Sequence, residues 1–326
     1  MSRFGMIGVV GAGAWGTALA NASARAGHEV VLWEMDEAQA RALADQRTNE
    51  RYLPGVALED RVTATCEVEE LGMADAVLMV VPSQAMRAAA GGVSRHIKMG
   101  APVISCAKGI ERGSLAFMTD VLRDALPDHP AAVLSGPSFA ADVARGLPTA
   151  VTLAADDEWL AADLSAALAS AGLRLYHSDD VRGVEIGGAA KNVLAIGAGV
   201  AAGRGLGASA GAALIARGFA ELRRLGSALG ARPETLMGLS GLGDLVLTAT
   251  SEQSRNFSFG FAIGRGEPPS GKLAEGTFTA QALVALGERH GVELPIAIAV
   301  RDVLERAISV GEAVEALLAR PLKAEA

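Results

Sequence analysis

The chain has 326 residues, half of them apolar, which is enough for two domains of ~150 residues with a core each. A formal net charge of −8 with no basic run, and an aromatic content of 4%, exclude a nucleic-acid surface as the main function. Two cysteines, Cys66 and Cys106, are too few for a disulfide framework and point to a reducing, cytoplasmic compartment, and five scattered histidines show no ligand spacing, so no metal is expected.

The first predicted strand ends near Val10 and runs into Gly11-Ala-Gly13-Ala-Trp-Gly16, a G-x-G-x-x-G turn that continues into helix-forming residues as far as Arg25. Gly11 suits the tight turn, Gly13 lets a pyrophosphate approach the backbone, and Gly16 lets the helix pack closely on the strand. The free N–H groups at the helix start would face the phosphates. Gly27 reads as the helix stop and residues 28–33 as a second strand, which Glu34 ends. A carboxylate about 20 residues beyond the glycines suits the adenosine ribose hydroxyls. The uncharged run from Phe4 to Ala24 also resembles a signal peptide or membrane span, but five glycines in the first sixteen residues make a poor membrane helix.

Apolar runs at residues 76–81, 102–107, 132–134 and 150–153 read as strands buried on both faces, with crossover helices at 83–96 and 114–126. Pro82-Ser83, Lys108-Gly109 and Ser135-Gly136-Pro137-Ser138 follow directly on strands, at the rim where open α/β sheets bind ligands. Turn chemistry accounts for Pro82 and Pro137. Lys108, a cation at the tail of an apolar strand, is a candidate ligand contact. Cys106 reads as a small core residue rather than a nucleophile.

A helix and a short strand at 174–177 follow Asp156-Asp157-Glu158. Beyond Asp179 the strand signals fade, and helices are expected at 185–202, 212–229, 279–290 and 296–309. No later stretch reads as a membrane span; the longest, residues 193–203, is short and broken by glycine. The expected fold is α/β: a doubly wound, Rossmann-like parallel sheet over residues 1–178, followed by a mostly α-helical substrate domain over 179–326.

A hydride carrier leaves a proton to be moved, so the second domain should supply an acid/base. Lys191, flanked by Gly187-Gly-Ala-Ala and Asn192-Val-Leu-Ala, has an unusually small and apolar setting that would lower its pKa. A lysine snorkelling from a buried helix is the alternative, and the sequence leaves both open. Asp244, after Leu239-Ser-Gly-Leu-Gly, could orient an ammonium or only cap the next helix. Ser254-Arg255-Asn256 groups a hydroxyl, a guanidinium and an amide suited to a phosphate or carboxylate; a helix start with one exposed arginine is the alternative.

In order along the chain, Gly11-Ala-Gly-Ala-Trp-Gly-Thr-Ala-Leu-Ala, Ser135-Gly-Pro-Ser-Phe-Ala, Gly187-Gly-Ala-Ala-Lys-Asn-Val-Leu-Ala-Ile, Gly241-Leu-Gly-Asp-Leu and Ser254-Arg-Asn resemble the bacterial NAD(P)-dependent glycerol-3-phosphate dehydrogenases. The match runs from about residue 4 to 300. It implies hydride transfer between NAD(P)(H) and the pair dihydroxyacetone phosphate and sn-glycerol 3-phosphate, feeding glycerolipid synthesis. By position, Lys191 resembles the family's general acid/base, with Lys108, Asn192, Asp244 and Thr248 arranging the substrate's oxygens. Gly136 and Ser138 would touch the substrate, and Ser254, Arg255 and Asn256 would hold its phosphate, with Arg255 also near the cofactor. Besides the loop glycines and Lys108, Ala14, Trp15, Ala140, Leu273 and Glu275 match cofactor-contacting positions. A homodimer without membrane insertion is implied as well.

Two departures carry consequences. Where family members often have an arginine for the NADP 2′-phosphate, this chain has Glu34-Met35-Asp36, whose carboxylates tilt the expectation toward NAD. Gly207-Ala-Ser-Ala-Gly211 lacks the family's polar groups, which bears on substrate affinity or dimer packing. A β-hydroxyacid or 6-phosphogluconate-type dehydrogenase shares the expected layout and would turn over a hydroxycarboxylate instead. A non-catalytic nucleotide sensor is opposed by the retained Lys191, Asp244 and Arg255.

Overall fold

The apolar runs of the first 178 residues form an eight-stranded sheet covered on both sides. The computed structural model describes residues 3–269 and 274–321. Its strands are β1 (Met6–Val10), β2 (Glu29–Trp33), β3 (Thr48–Asn49), β4 (Leu53–Ala57), β5 (Val62–Thr65), β6 (Ala76–Met79), β7 (Val103–Ser105), β8 (Ala131–Ser135), β9 (Thr149–Ala155) and β10 (Leu173–Ser178). Interleaved with them are α1 (Ala14–Arg25), α2 (Glu37–Gln46), α3 (Met86–Val93), α4 (Met118–Ala125), α5 (Ala140–Ala144) and α6 (Glu158–Leu168).

The strand order is β10-β9-β8-β7-β6-β1-β2-β5. Alternation along each strand divides the core in two: Val30 and Leu32 join the layer under α1 and α6, while Val31 faces the opposite layer with α3 and α4. The chain leaves β1 toward β2 on one side and returns to β6 on the other. The carboxyl end of β1 is therefore the switch point where such sheets open a crevice.

The expected all-parallel sheet needs one correction: β9 pairs antiparallel to β8, so its carboxyl end lies on the opposite rim from Ser135. The edge strand β5, the α2 helix and the small β3–β4 hairpin were not anticipated, because their short, polar sequences carry little periodicity.

After β10 the chain is helical: α7 (Val181–Gly203), α8 (Ala208–Ala228), α9 (Pro233–Met237), α10 (Asp244–Ala249), α11 (Arg255–Gly264), α12 (Gly276–Arg289), α13 (Pro295–Leu304) and α14 (Val310–Leu318). The helix expected over 296–309 stops at Leu304, because Arg306 adopts a left-handed φ of 58°, and a further helix, α14, starts beyond it with Ser309 as its cap. The central helix is α7. It is longer than the 193–203 stretch suggested, and its length and hydropathy would suffice to cross a membrane, yet 83% of that window is buried within the fold. Helices α8, α12 and α13 pack around it through Val193, Ile196, Leu222, Leu283 and Val300.

Two buried glutamates act as helix caps from a distance. Glu185 of α7 accepts from the N–H and hydroxyl of Thr119 at the start of α4, at 2.8 and 3.1 Å. Glu221 of α8 accepts from the N–H groups of Ile296 and Ala297 at the start of α13, at 2.8 and 3.3 Å. Each satisfies orphan amides at a positive helix end. Burial nevertheless pushes both carboxyls up to about 7.

Candidate active site

Helix α7 carries Lys191 into the rim of the sheet because glycines clear its path. A Cβ on Gly188 would stand 2.6 Å from the Ser135 hydroxyl at the end of β8, and one on Gly187 would stand 2.6 Å from the carbonyl of Ser240. Ser240 belongs to a wide helical turn, Leu239–Gly243, that ends at Asp244. Gly241 within it leaves no room for a side chain against the carbonyl of Leu236. Such wide turns re-aim a helix and concentrate at functional sites. Here the turn brings a carboxylate onto α7.

The Lys191 ammonium donates to Asp244 Oδ1 at 2.7 Å and to Thr248 Oγ1 at 2.8 Å. Lys108, just past β7, donates to Asp244 Oδ2 at 2.7 Å and to the Gly136 carbonyl at 2.9 Å. Asp244 is 1% exposed and Lys191 7%, so Lys191 does not snorkel to solvent. Nor does Asp244 cap α10; its carboxylate is taken by two ammonium groups and Thr248.

The electrostatics follow from burial and proximity. Burial pushes Lys191 down from 10.5 to about 8; the Lys108 charge adds to this and Asp244 opposes it. Burial also disfavours the charged Asp244, but Lys108 and Lys191 outweigh it and hold the carboxyl below its ordinary value. Burial pushes up Glu275, against the pull of Arg255, Lys191 and Lys108. Lys191 therefore sits near neutrality with its proton held in an otherwise satisfied network, as a proton donor should.

Beside this cluster lies a candidate anion site at the start of α11. Ser254 caps the helix by accepting from Phe257 N at 3.2 Å, and Asn256 is buried. The Asn256 amide donates to Asn192 Oδ1 at 2.9 Å and accepts from Gly276 N at 2.9 Å, while Asn192 donates to the Lys108 carbonyl at 2.9 Å. Arg255 alone of the three is exposed, and among the described residues it has no hydrogen-bonding or ion-pairing partner.

At the switch point, Gly11 has φ +102°, and a Cβ on it would meet the Val80 carbonyl at 2.6 Å. Gly16 has no room against the Gly11 carbonyl, whereas the space around Gly13 is open. Helix α1 starts from Gly13 with no side-chain cap, its first turn formed by Ala14, Trp15 and Gly16. Among the described residues, the buried Trp15 Nε1 has no hydrogen-bond partner. Ala14, Trp15 and Ala140 pack on the sheet core at the edge of this cradle. An uncapped helix start behind glycines that only a backbone can occupy fits a pyrophosphate.

Glu34 is placed as expected, but its oxygens accept from Ala12 N at 3.0 Å and Asp36 N at 3.1 Å, so it also braces the loop. Asp36 caps α2 and pairs with Arg51 at 3.1 Å. Sequence reading missed Arg51, which lies in no recognisable motif. Gly136 (φ +149°) and Ser138, whose hydroxyl donates to the Gly136 carbonyl at 3.0 Å, form the turn beneath Lys108. Leu273 lies outside the described residues. The altered 207–211 segment is at the surface where α8 begins, not in the core of the helical region, so it bears on an outer face rather than on Lys191.

Residues 6–161 match the family model of the NAD-dependent glycerol-3-phosphate dehydrogenase N-terminus, and residues 180–315 match that of its C-terminus. The chain is 64% identical over 328 residues to a glycerol-3-phosphate dehydrogenase (NAD(P)+) of Azorhizobium caulinodans, covering all of both chains. A protein of the same description from Methylobacterium radiotolerans is 59% identical, with 100% of this chain and 99% of that one covered. Among solved structures, glycerol-3-phosphate dehydrogenase from Coxiella burnetii superposes with a TM-score of 0.91 at 38% identity, covering 97% of this chain and 99% of that one. A ketopantoate reductase from Ralstonia eutropha, at 20% identity and a TM-score of 0.63 over 95% and 99% of the two chains, shares the fold alone.

Proposed function

The chain belongs to the NAD-dependent glycerol-3-phosphate dehydrogenase family and interconverts dihydroxyacetone phosphate and sn-glycerol 3-phosphate with NAD(P)(H); we propose that Lys191 moves the proton of that reaction. The observation that carries this assignment is the Lys191 ammonium, buried, lowered to about 8 and held by Asp244 and Thr248 at the rim of the sheet.

When bound, the nicotinamide cofactor supplies the hydride to the substrate carbonyl carbon or removes it from the alcohol. Gly11, Gly13, Ala14, Trp15 and Gly16 would hold its phosphates, with Glu34 at the ribose and Ala140 and Glu275 at the cradle's edge. Lys191 gives its proton to the carbonyl oxygen during reduction and takes it back during oxidation. Lys108 supplies a second positive charge toward that oxygen. Asp244 holds both ammonium groups in place and keeps the cluster from self-repulsion, and Thr248 aims Lys191. Arg255, at the positive end of α11, takes the substrate phosphate as a bidentate partner, with Ser254 and Asn256 ordering the turn that presents it.

The division into a nucleotide domain (1–178) and a substrate domain (179–326) follows from these roles. For the cofactor we propose a preference for NAD, since Glu34 and Asp36 outnumber Arg51 at the adenosine end. The ratio of kcat/KM for NADH and NADPH tests this, and a clear NADPH preference would refute it. The assay that tests the function itself is NADH oxidation on adding dihydroxyacetone phosphate, with Lys191→Ala as control. Turnover of a hydroxycarboxylate in its place would favour the β-hydroxyacid reading.

A homodimer is proposed across the outer face of the helical region, where α7, α8, α13 and α14 leave an apolar groove of 1140 Å³ walled by Ala213, Leu214, Val314 and Leu317. Arg217 and Arg223 at its rim are complementary to the exposed Glu312 and Glu315 of α14, as a two-fold pairing requires. Light scattering should give twice the chain mass, falling to one chain mass in Leu214→Glu. A cytoplasmic location is proposed from the two cysteines, neither of them in a disulfide.

A further inference from the structure

Helices α7 and α11 run side by side away from the active site, parallel and in step. Asn192 is hydrogen-bonded to Asn256; next along the pair, Gly260 lies on the carbonyl of Ile196, and then Gly264 on that of Val200. On the adjoining row Gly199 lies on the carbonyl of Phe257 and Gly203 on that of Phe261. At all four glycines a Cβ would fall inside the contact radius of a backbone oxygen. None of the four has a positive φ, so no turn demands them. Glycine is an unfavourable residue inside a helix, and the gain that offsets it here is direct contact of two backbones, as in other small-x-x-x-small seams.

The upper end of this seam is the active site. Helix α11 begins with Arg255, and α7 bears Lys191 beside Asn192, the residue bonded to Asn256. The depth to which the two helices interlock therefore sets the distance between guanidinium and ammonium. A three-carbon phosphate must bridge that distance, gripping with its phosphate and reacting at its carbonyl. Binding energy at one end helps the chemistry at the other only if the span is right, and a displacement of ~1 Å can cost ~10²-fold.

We propose that Gly199, Gly203, Gly260 and Gly264 are positioning residues for the reaction: their backbone-to-backbone seam, closed by the Asn192–Asn256 bond, fixes the span between the phosphate anchor and the proton donor. The proposal rests on the roles given above to Arg255 and Lys191. A seam serving stability alone would affect every substrate equally.

The test compares kcat/KM for dihydroxyacetone phosphate with that for phosphate-free dihydroxyacetone in the full-length protein, with NADH binding followed by fluorescence. Gly260→Ala is expected to lower kcat/KM for the phosphorylated substrate by ~10²-fold, to change that for dihydroxyacetone by less than ~3-fold, and to leave NADH affinity within about twofold. Gly264→Ala, at the end of α11 where the helix can splay most easily, should show the same selectivity with a smaller loss. It decides the matter if Gly260→Ala does not fold. Equal losses on both substrates, or a folded Gly264→Ala with unchanged selectivity, would overturn the proposal. Arg255→Ala, run in parallel, must itself discriminate between the two substrates; if it does not, the phosphate anchor is misassigned and the underlying reading fails instead.

Discussion

At the end of β1, glycines 11, 13 and 16 shape a cradle out of consecutive backbone; beyond β7, in the middle of α7 and on α10, Lys108, Lys191, Asp244 and Thr248 from three separate segments make a buried charge cluster. The first region works by leaving side chains out, and what disturbs it is volume. The second works by holding charges in a dry place, and what disturbs it is the loss of one partner. Removing one member of a buried pair leaves an uncompensated charge, at a cost of about 3–5 kcal/mol. The two halves of one active site should therefore fail in different ways, one in affinity for the dinucleotide and the other in rate and pH dependence.

The largest effect that would sharpen this contrast is that of Lys191→Ala. A drop in kcat of about 10²–10⁴-fold is expected, with NADH affinity within about twofold of wild type, measured by stopped-flow and fluorescence titration. A loss of NADH binding of the same size would break the separation. Gly16→Ala should do the reverse, because its methyl group would press on the Gly11 carbonyl: overpacking of ~1–3 kcal/mol corresponds to a ~5–160-fold rise in Kd for NADH. The substrate dependence of any remaining rate should be little changed.

The pH dependence comes next in size and belongs to the charge cluster alone. Lys191 titrates near 8, so kcat/KM for dihydroxyacetone phosphate reduction should fall as pH rises through that value, when the donor loses its proton. Glycerol 3-phosphate oxidation should rise over the same interval, because the lysine must then accept a proton. Parallel profiles in the two directions would argue against Lys191 as the shared acid/base.

The smallest effect separates buried charge from chemistry. Glu221 is as deeply buried as the cluster but caps α13 on another face of the helical region. Its carboxyl stands raised to about 7 from an ordinary 4.5, so the stability linked to its protonated form is complete below about 4.5 and is lost as pH rises through about 7. Glu221→Gln should gain in Tm over wild type between pH 5 and pH 8 while kcat stays unchanged. A rate effect would tie the cap to the catalytic cluster.

Reading the chain alone found much of this site, and unequally. The loop at 11–16 was legible because its requirement is steric and local, and the strand and helix patterns around it agreed. Lys191 was visible from its small apolar neighbours, yet snorkelling remained open until α7 proved to be the buried centre of the helical region. Asp244 was read as able to orient an ammonium and Ser254–Asn256 as suited to an anion, but the residues each would pair with were not legible. Nothing in their spacing says that one carboxylate bridges two lysines, or that Asn256 turns inward to Asn192 while Arg255 faces out. Arg51 and the antiparallel β9 left no local trace at all.

The main sheet strands and the helices of the second half, the phosphate cradle and the family were determined by the sequence itself, since steric exclusion and hydrophobic period act between near neighbours in the chain. The protonation of Lys191, the double pairing of Asp244, the bracing of Glu34 and the glycine seam between α7 and α11 were decided only by tertiary structure. Electrostatic energy depends on separation and on the water removed, and neither exists until segments from residues 108, 191, 244 and 255 have been packed together.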